Sequence, residues 1–179
     1  DLAHRHQARI AGMFRERPAY KYTVAHSVYV AKDYRGKGLG RRLLEAVIAQ
    51  IDSEMNARLQ VVTANGTSRW QGFVDECVAY VEMALEPEIQ RIVLLDGPAV
   101  LGDPATWPST NTCILSMSES LRQLGEQGAI VPLDAEAGGR VLNGALTHAS
   151  LWIANSPEPE ATSRRAVAAI RQLLDGLRA

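Results

Sequence analysis

The residues best placed to do chemistry form a basic, glycine-rich turn, Arg35-Gly36-Lys37-Gly38-Leu39-Gly40-Arg41. Glycines let a backbone approach an anion, and successive N–H groups at the start of a helix can receive one. These seven residues are therefore candidates for binding a phosphorylated cofactor. A second group is aromatic or soft. Trp70, Phe73, Tyr80, Trp107, Met117 and Trp152 could wall a pocket for a small apolar molecule, and equally could fill a helical core. His148 lies in an otherwise apolar stretch and reads as a hydrogen-bonded interface or core histidine. Cys77 and Cys113 fall inside amphipathic patterns, as buried free thiols do in a reducing cytoplasm. No spacing of His, Cys or carboxylate residues suits a metal, and no residue is assigned a catalytic role.

The elements that must position these residues differ between the two ends. Before residue 35 the chain is irregular, with β-branched and aromatic enrichment that argues for a strand at Ser27–Ala31. After the turn, Leu39, Leu43, Leu44, Val47, Ile48, Ile51, Met55 and Leu59 recur at three- and four-residue spacings, a helix that Asn65-Gly66 stops. Everything beyond reads as helices. Thr67 or Ser68 caps a segment whose face includes Phe73, Val74, Cys77, Tyr80 and Val81. Pro87 opens a short helix, Glu88 to Leu95, that ends at Asp96-Gly97-Pro98. Three longer helices follow, at about Ser109–Gln127, after Asp134, and after Pro159. Their expected faces hold Ile114, Met117, Leu121 and Leu124; then Val141, Leu142, Ala145, Leu146, Ala149, Trp152 and Ile153; then Ala166, Val167, Ile170, Leu173, Leu174 and Leu177. The two final faces could complete one domain or pair with a second copy.

Composition narrows the classes. At 46% hydrophobic and 22% charged the chain can bury a sizeable core, which sets disorder aside. No apolar run approaches the roughly 20 residues that span a membrane, and the basic start lacks the apolar stretch of a secretory signal. A chain without an initiator methionine is expected to be trimmed, tagged or only partly visible. Charge is uneven. Residues 1–50 carry 10 basic and 4 acidic side chains, whereas the other 129 carry 9 and 16. An excess of six positive charges suits an anionic partner, nucleic acid or a phosphorylated cofactor.

Two family resemblances follow from these residues. The stretch from Trp70 through Glu76-Cys77-Val78-Ala79-Tyr80 to Pro98-Ala99-Val100-Leu101-Gly102 resembles the regulatory domain of TetR-family transcriptional regulators. The likeness covers roughly residues 50–179. It implies an all-helical domain with a pocket for a small apolar effector, and a homodimer formed through the last two helices, 139–155 and the final one. Separately, the text from Arg17 to Val30 followed by Arg35–Leu44 resembles the central motif of GNAT acetyltransferases, of the phosphinothricin-acetyltransferase type. That likeness implies acetyl-CoA as cofactor, with Arg35, Gly38 and Gly40 at its pyrophosphate. Ala25, beside His26, stands where related acetyltransferases carry a glutamate proposed as general base, and the strands that build an acceptor site are missing, so acetyl transfer is not expected.

The expected architecture is mainly α: a TetR-like regulatory and dimerisation bundle at 51–179, with a short strand-turn-helix segment, GNAT-like or replaced, at 1–50. The helix beginning near Leu39 serves either context, so the chain reads as a chimera, natural or engineered. The expected function is an effector-sensing, dimerising, cytoplasmic regulator whose helix-turn-helix is not recognisable. Its basic start would give only salt-sensitive, non-specific attachment to DNA. The alternatives are an acetyl-CoA-binding GNAT-like fragment and a stable chimeric fold without activity.

Overall fold

The computed structural model describes residues 37–179. The strand expected at Ser27–Ala31, together with Arg35 and Gly36 of the turn, lies outside the described residues. Among those described there is no strand, only an isolated antiparallel bridge between Ile130 and Arg178.

Helix α1 (Leu39–Ala64) opens on Gly38, whose φ of 70° is easy only for a residue without a Cβ. It buries Ile48, Ile51, Met55 and Leu59, the expected stripe, and stops at Asn65. Helix α2 (Arg69–Glu82) starts where Ser68 turns its hydroxyl oxygen to accept from the Gln71 N–H at 3.1 Å. The connection between them is tight. A Cβ on Gly72 would overlap the Thr63 carbonyl oxygen, so the end of α1 and the start of α2 touch backbone to backbone. Helix α4 (Pro108–Glu126) begins with proline at its first turn. Helix α5 (Ala135–Ala154) is capped by Asp134, which accepts from the Ala137 N–H at 3.0 Å. Helix α6 (Pro159–Asp175) follows the short link at residues 155–158.

The expected short helix from Glu88 takes another form. Residues Ile89–Asp96 form a π-helix that runs without a break into α3 (Gly97–Leu101). The wider ladder ends where the Gly97 N–H bonds the Ile92 carbonyl, immediately before Pro98, which has no N–H to continue it. Gly97 is itself a contact point, since a Cβ there would meet the Trp107 ring at 2.7 Å.

Two apolar clusters hold the bundle. One joins α2, α4, α5 and α6 around Val81, Leu121, Leu124, Ile153 and Leu174. The other joins α1 to the π-helix through Ile48, Ile51, Met55, Ile89 and Ile92. A fully buried leucine or isoleucine contributes about 1.5–3 kcal/mol, so these clusters dominate stability. Four residues expected to face inward on α5 and α6 do not: Val141 is 71% exposed, Trp152 43% and Leu173 65%, and Ala145 is exposed as well. On α5 the reason is steric. Gly138 and Gly139 let α5 press onto α4, where a Cβ on Gly139 would overlap the Ser118 hydroxyl, and this choice turns Leu146, Ser150 and Ile153 inward and Val141 out.

Candidate functional site

A cleft of about 410 Å³ lies between α1, α2, α4 and α5. Asn56, Leu59, Gln60 and Thr63 come from α1; Glu76, Cys77 and Tyr80 from α2; Thr112, Cys113, Ser116, Met117 and Ser120 from α4; Asn143 and Leu146 from α5. Leu59, Cys77 and Leu146 belong to the buried stripes of their helices, and Thr63, Glu76 and Tyr80 share those sides, four residues after Leu59, three after Phe73 and three after Cys77 respectively. The volume is within the range of small-molecule sites. A smaller pocket of about 60 Å³ adjoins it, sharing Asn56, Leu59, Tyr80, Cys113 and Asn143. Asp52, Trp107, Thr110 and Thr147 line the inner pocket, and the π-helix closes it with Ile89, Val93 and Leu94.

The polar groups here are placed by burial. Burial pushes the Asp52 carboxyl above its usual range, opposed in part by a hydrogen bond from Ser109. Glu76 is raised in the same way, although its Oε2 accepts from the Thr63 hydroxyl at 2.6 Å. Burial also raises Tyr80, whose hydroxyl is bonded to Thr147, and Cys113, on which both carboxylates act as well. The indole N–H of Trp107 is buried and without a hydrogen-bond partner. Among the described residues, no lysine, arginine or histidine lines either cavity.

Of the six aromatic or soft residues expected at a pocket, the structure brings three together. Tyr80 lines both cavities, Trp107 the inner pocket and Met117 the outer cleft. Trp70 and Phe73 pack in the α2 core with ring centroids 6.2 Å apart. Trp152 lies on the outside of α5, with the Arg165 guanidinium 5.2 Å from its ring centre. His148 is exposed on that same face. Cys77 is buried and free, its thiol pushed up to about 12 chiefly by burial, and Cys113 is half-buried and free. The two carboxylates were missed by a search for aromatic types. Their signal was present: Asp52 interrupts the Ile48, Ile51, Met55 stripe, and Glu76 stands between Phe73 and Tyr80.

In the glycine-rich turn, Lys37 and Gly38 precede α1, and Leu39, Gly40 and Arg41 form its first turn. Arg41 is exposed, paired with Glu45 at 3.0 Å and within 3.4 Å of the Leu101 carbonyl. There is no acidic residue in that first turn, so the end of α1 keeps its positive character.

Comparison with known proteins gives two matches. Residues 70–177 match the family described as tetracyclin repressor-like, C-terminal domain. A TetR-family transcriptional regulator of known structure from Pectobacterium atrosepticum is 42% identical, with a TM-score of 0.75 over 83% of this chain and 76% of that one. Residues 2–76 match the acetyltransferase (GNAT) domain. An L-amino acid N-acyltransferase from Escherichia coli (strain K12) is 34% identical over 80 residues, 44% of this chain and 45% of that protein. The chain thus spans less than half the length of that curated relative. The two matched ranges meet at residues 70–76, the arrangement of a chimera.

Proposed function

This chain belongs to the TetR family through its C-terminal domain, and from that premise we propose that the cleft between α1, α2, α4 and α5 is the effector site of a ligand-responsive regulator. One observation carries the reading: α1 is at once a wall of the cleft and the element that leads out of the domain toward residues 1–36. A ligand touching Asn56, Leu59 and Thr63 therefore acts on the helix that would convey its presence. Effector and output are then coupled by the differential affinity of the ligand for two settings of α1.

The effector is a small, largely apolar molecule. A neutral fluorescent probe, N-phenyl-1-naphthylamine, tests the site without involving charge. It should bind saturably, one per chain, and a Cys113→Phe variant that remains helical by circular dichroism should lose it. Equal binding by the variant would place the probe elsewhere and remove the reading.

The same premise assigns the outer face of α5 and α6 to a homodimer contact. Val141, Ala145, His148 and Trp152 recur at four-, three- and four-residue spacings on the exposed side of α5, with Leu173 exposed on α6. That is the spacing of a helical seam. Sedimentation equilibrium of a Val141→Glu/Leu173→Glu variant should give a monomer, and an unchanged dimer would refute the contact.

A second reading rests on the left-handed Gly38 at the head of a positively ended helix, together with the GNAT match at 2–76. It assigns acetyl-CoA to residues 35–41. Calorimetric titration should then show saturable binding that Gly38→Asp abolishes, with the cleft probe unaffected.

A further inference from the structure

We propose that the effector of this cleft is a cation, an amine or ammonium group carried on an apolar body, with its head in the inner pocket at Asp52 and its body in the outer cleft. This inference rests on the reading of the cleft as the effector site.

Three observations converge. The two adjoining cavities carry two carboxylates, Asp52 in the inner one and Glu76 in the outer one, and among the described residues no basic side chain lines either. Neither carboxylate forms an ion pair among the described residues; their partners are the hydroxyls of Ser109 and Thr63. Half-buried acids opposed only by hydroxyls cost desolvation that an incoming cation would recover. Size divides the labour. The inner pocket, about 60 Å³, holds an ammonium head or roughly two waters, whereas the outer cleft of about 410 Å³ accepts a ring or alkyl chain. The walls agree with a cation, because Tyr80 and Trp107 bring aromatic rings to the pocket that contains Asp52. Among the described residues, an anionic effector would meet two carboxylates and no cation.

The chemistry gives a pH signature. Burial raises both carboxyl groups above their usual range, so acid removes the charge that attracts the ligand earlier than for an exposed carboxylate. Amine affinity should fall as pH drops through those raised values, while a neutral ligand should be indifferent.

The test uses a matched set, 4-phenylbutylamine, 4-phenylbutanol and 4-phenylbutyrate, titrated calorimetrically into the full chain at neutral pH. The amine should bind best and the acid not at all. Asp52→Asn should weaken the amine by about tenfold or more and leave the alcohol unchanged. Glu76→Gln should weaken the amine less, because that carboxylate faces the wider cleft. If the alcohol equals the amine, or Asp52→Asn keeps the preference, the cation assignment falls while the cleft, tested separately with the neutral naphthylamine, stands. If the naphthylamine and all three probes fail to bind, both fall together.

Discussion

Replacing Gly139 by alanine sets two opposed effects against each other at one atom. In the middle of a helix, alanine should gain about 1 kcal/mol over glycine from the smaller loss of backbone freedom. The site gives that Cβ no room. It would overlap the Ser118 hydroxyl and stand 3.0 Å from the Ser118 backbone nitrogen and 3.2 Å from the Ile114 carbonyl oxygen. The hydroxyl cannot simply turn away, because it donates to that Ile114 carbonyl at 2.8 Å, a bond contributing about 1 kcal/mol. Backbone atoms on α4 move only with the helix, and overpacking of this kind costs about 1–3 kcal/mol. With that hydrogen bond lost as well, the balance is a net loss of about 1–3 kcal/mol, roughly 2–12 °C in Tm for a chain of this size. Gly144, on the same helix with nothing within 4 Å of its Cβ position, is the control and should be stabilised on substitution by alanine, by about 0.5–1 kcal/mol. Thermal unfolding followed by circular dichroism, at two protein concentrations to expose any dimer contribution, measures both. Adding Ser118→Ala to Gly139→Ala should recover part of the loss. A Gly139→Ala protein as stable as the parent would refute the claim that α4 and α5 touch through this glycine.

Other expectations follow from single observations. Leu124→Ala, at a fully buried position, should lose about 2–5 kcal/mol in denaturant unfolding, more than any exposed leucine such as Leu115. Ser68→Ala removes the cap of α2 and should cost about 1 kcal/mol, with most of it restored by Ser68→Asp. Cys77 is held neutral by burial to about 12, above its unfolded value near 9, so it should resist iodoacetamide in the native state and react on unfolding. The sign for stability is a loss: between those two values the unfolded state sheds the proton first, stability should decline as pH rises, and Cys77→Ala should flatten the decline.

Helix ends were legible because several carry their own chemistry, Ser68 and Asp134 as caps and Asn65 at a stop, whereas Pro108 and Pro159, expected just before their helices, stand in the first turns. The π-helix was not, since Ile89, Ile92 and Val93 fit a ladder of either width and eight residues cannot distinguish them. The inward face of α5 was ambiguous for a different reason. Apolar residues stand on both sides of it, Leu142, Leu146 and Ile153 on one, Val141, Ala145 and Trp152 on the other. Hydrophobicity could not choose between them; the close approach at Gly139 does, and that is a fact about α4. The cleft was half legible. Tyr80 and Met117 line it and Trp107 lines the adjoining pocket, but Trp70 and Phe73, chosen on the same ground, are core, because residue type says nothing about whether a gap remains beside it. The carboxylates Asp52 and Glu76 were the better signal, for an acid on a buried stripe has to be accommodated by something other than a core.

The two family likenesses are reconciled in α1. By sequence, the GNAT match includes the whole of this helix and runs on to residue 76; by packing, the helix belongs to the regulator's bundle, with Ile48, Ile51 and Met55 set against Ile89 and Ile92. No contradiction arises, since both settings ask the same of Leu39–Ala64: an apolar stripe at helical spacing, a glycine at its head and a stop at its end. Beside that stripe, Asp52, Asn56 and Thr63 turn toward the two cavities. A helix exchanged for its stripe alone would preserve the fold. On the proposed reading, one that also keeps those polar positions preserves the effector site as well, and Asp52 would then mark that site more sharply than any of the tryptophans.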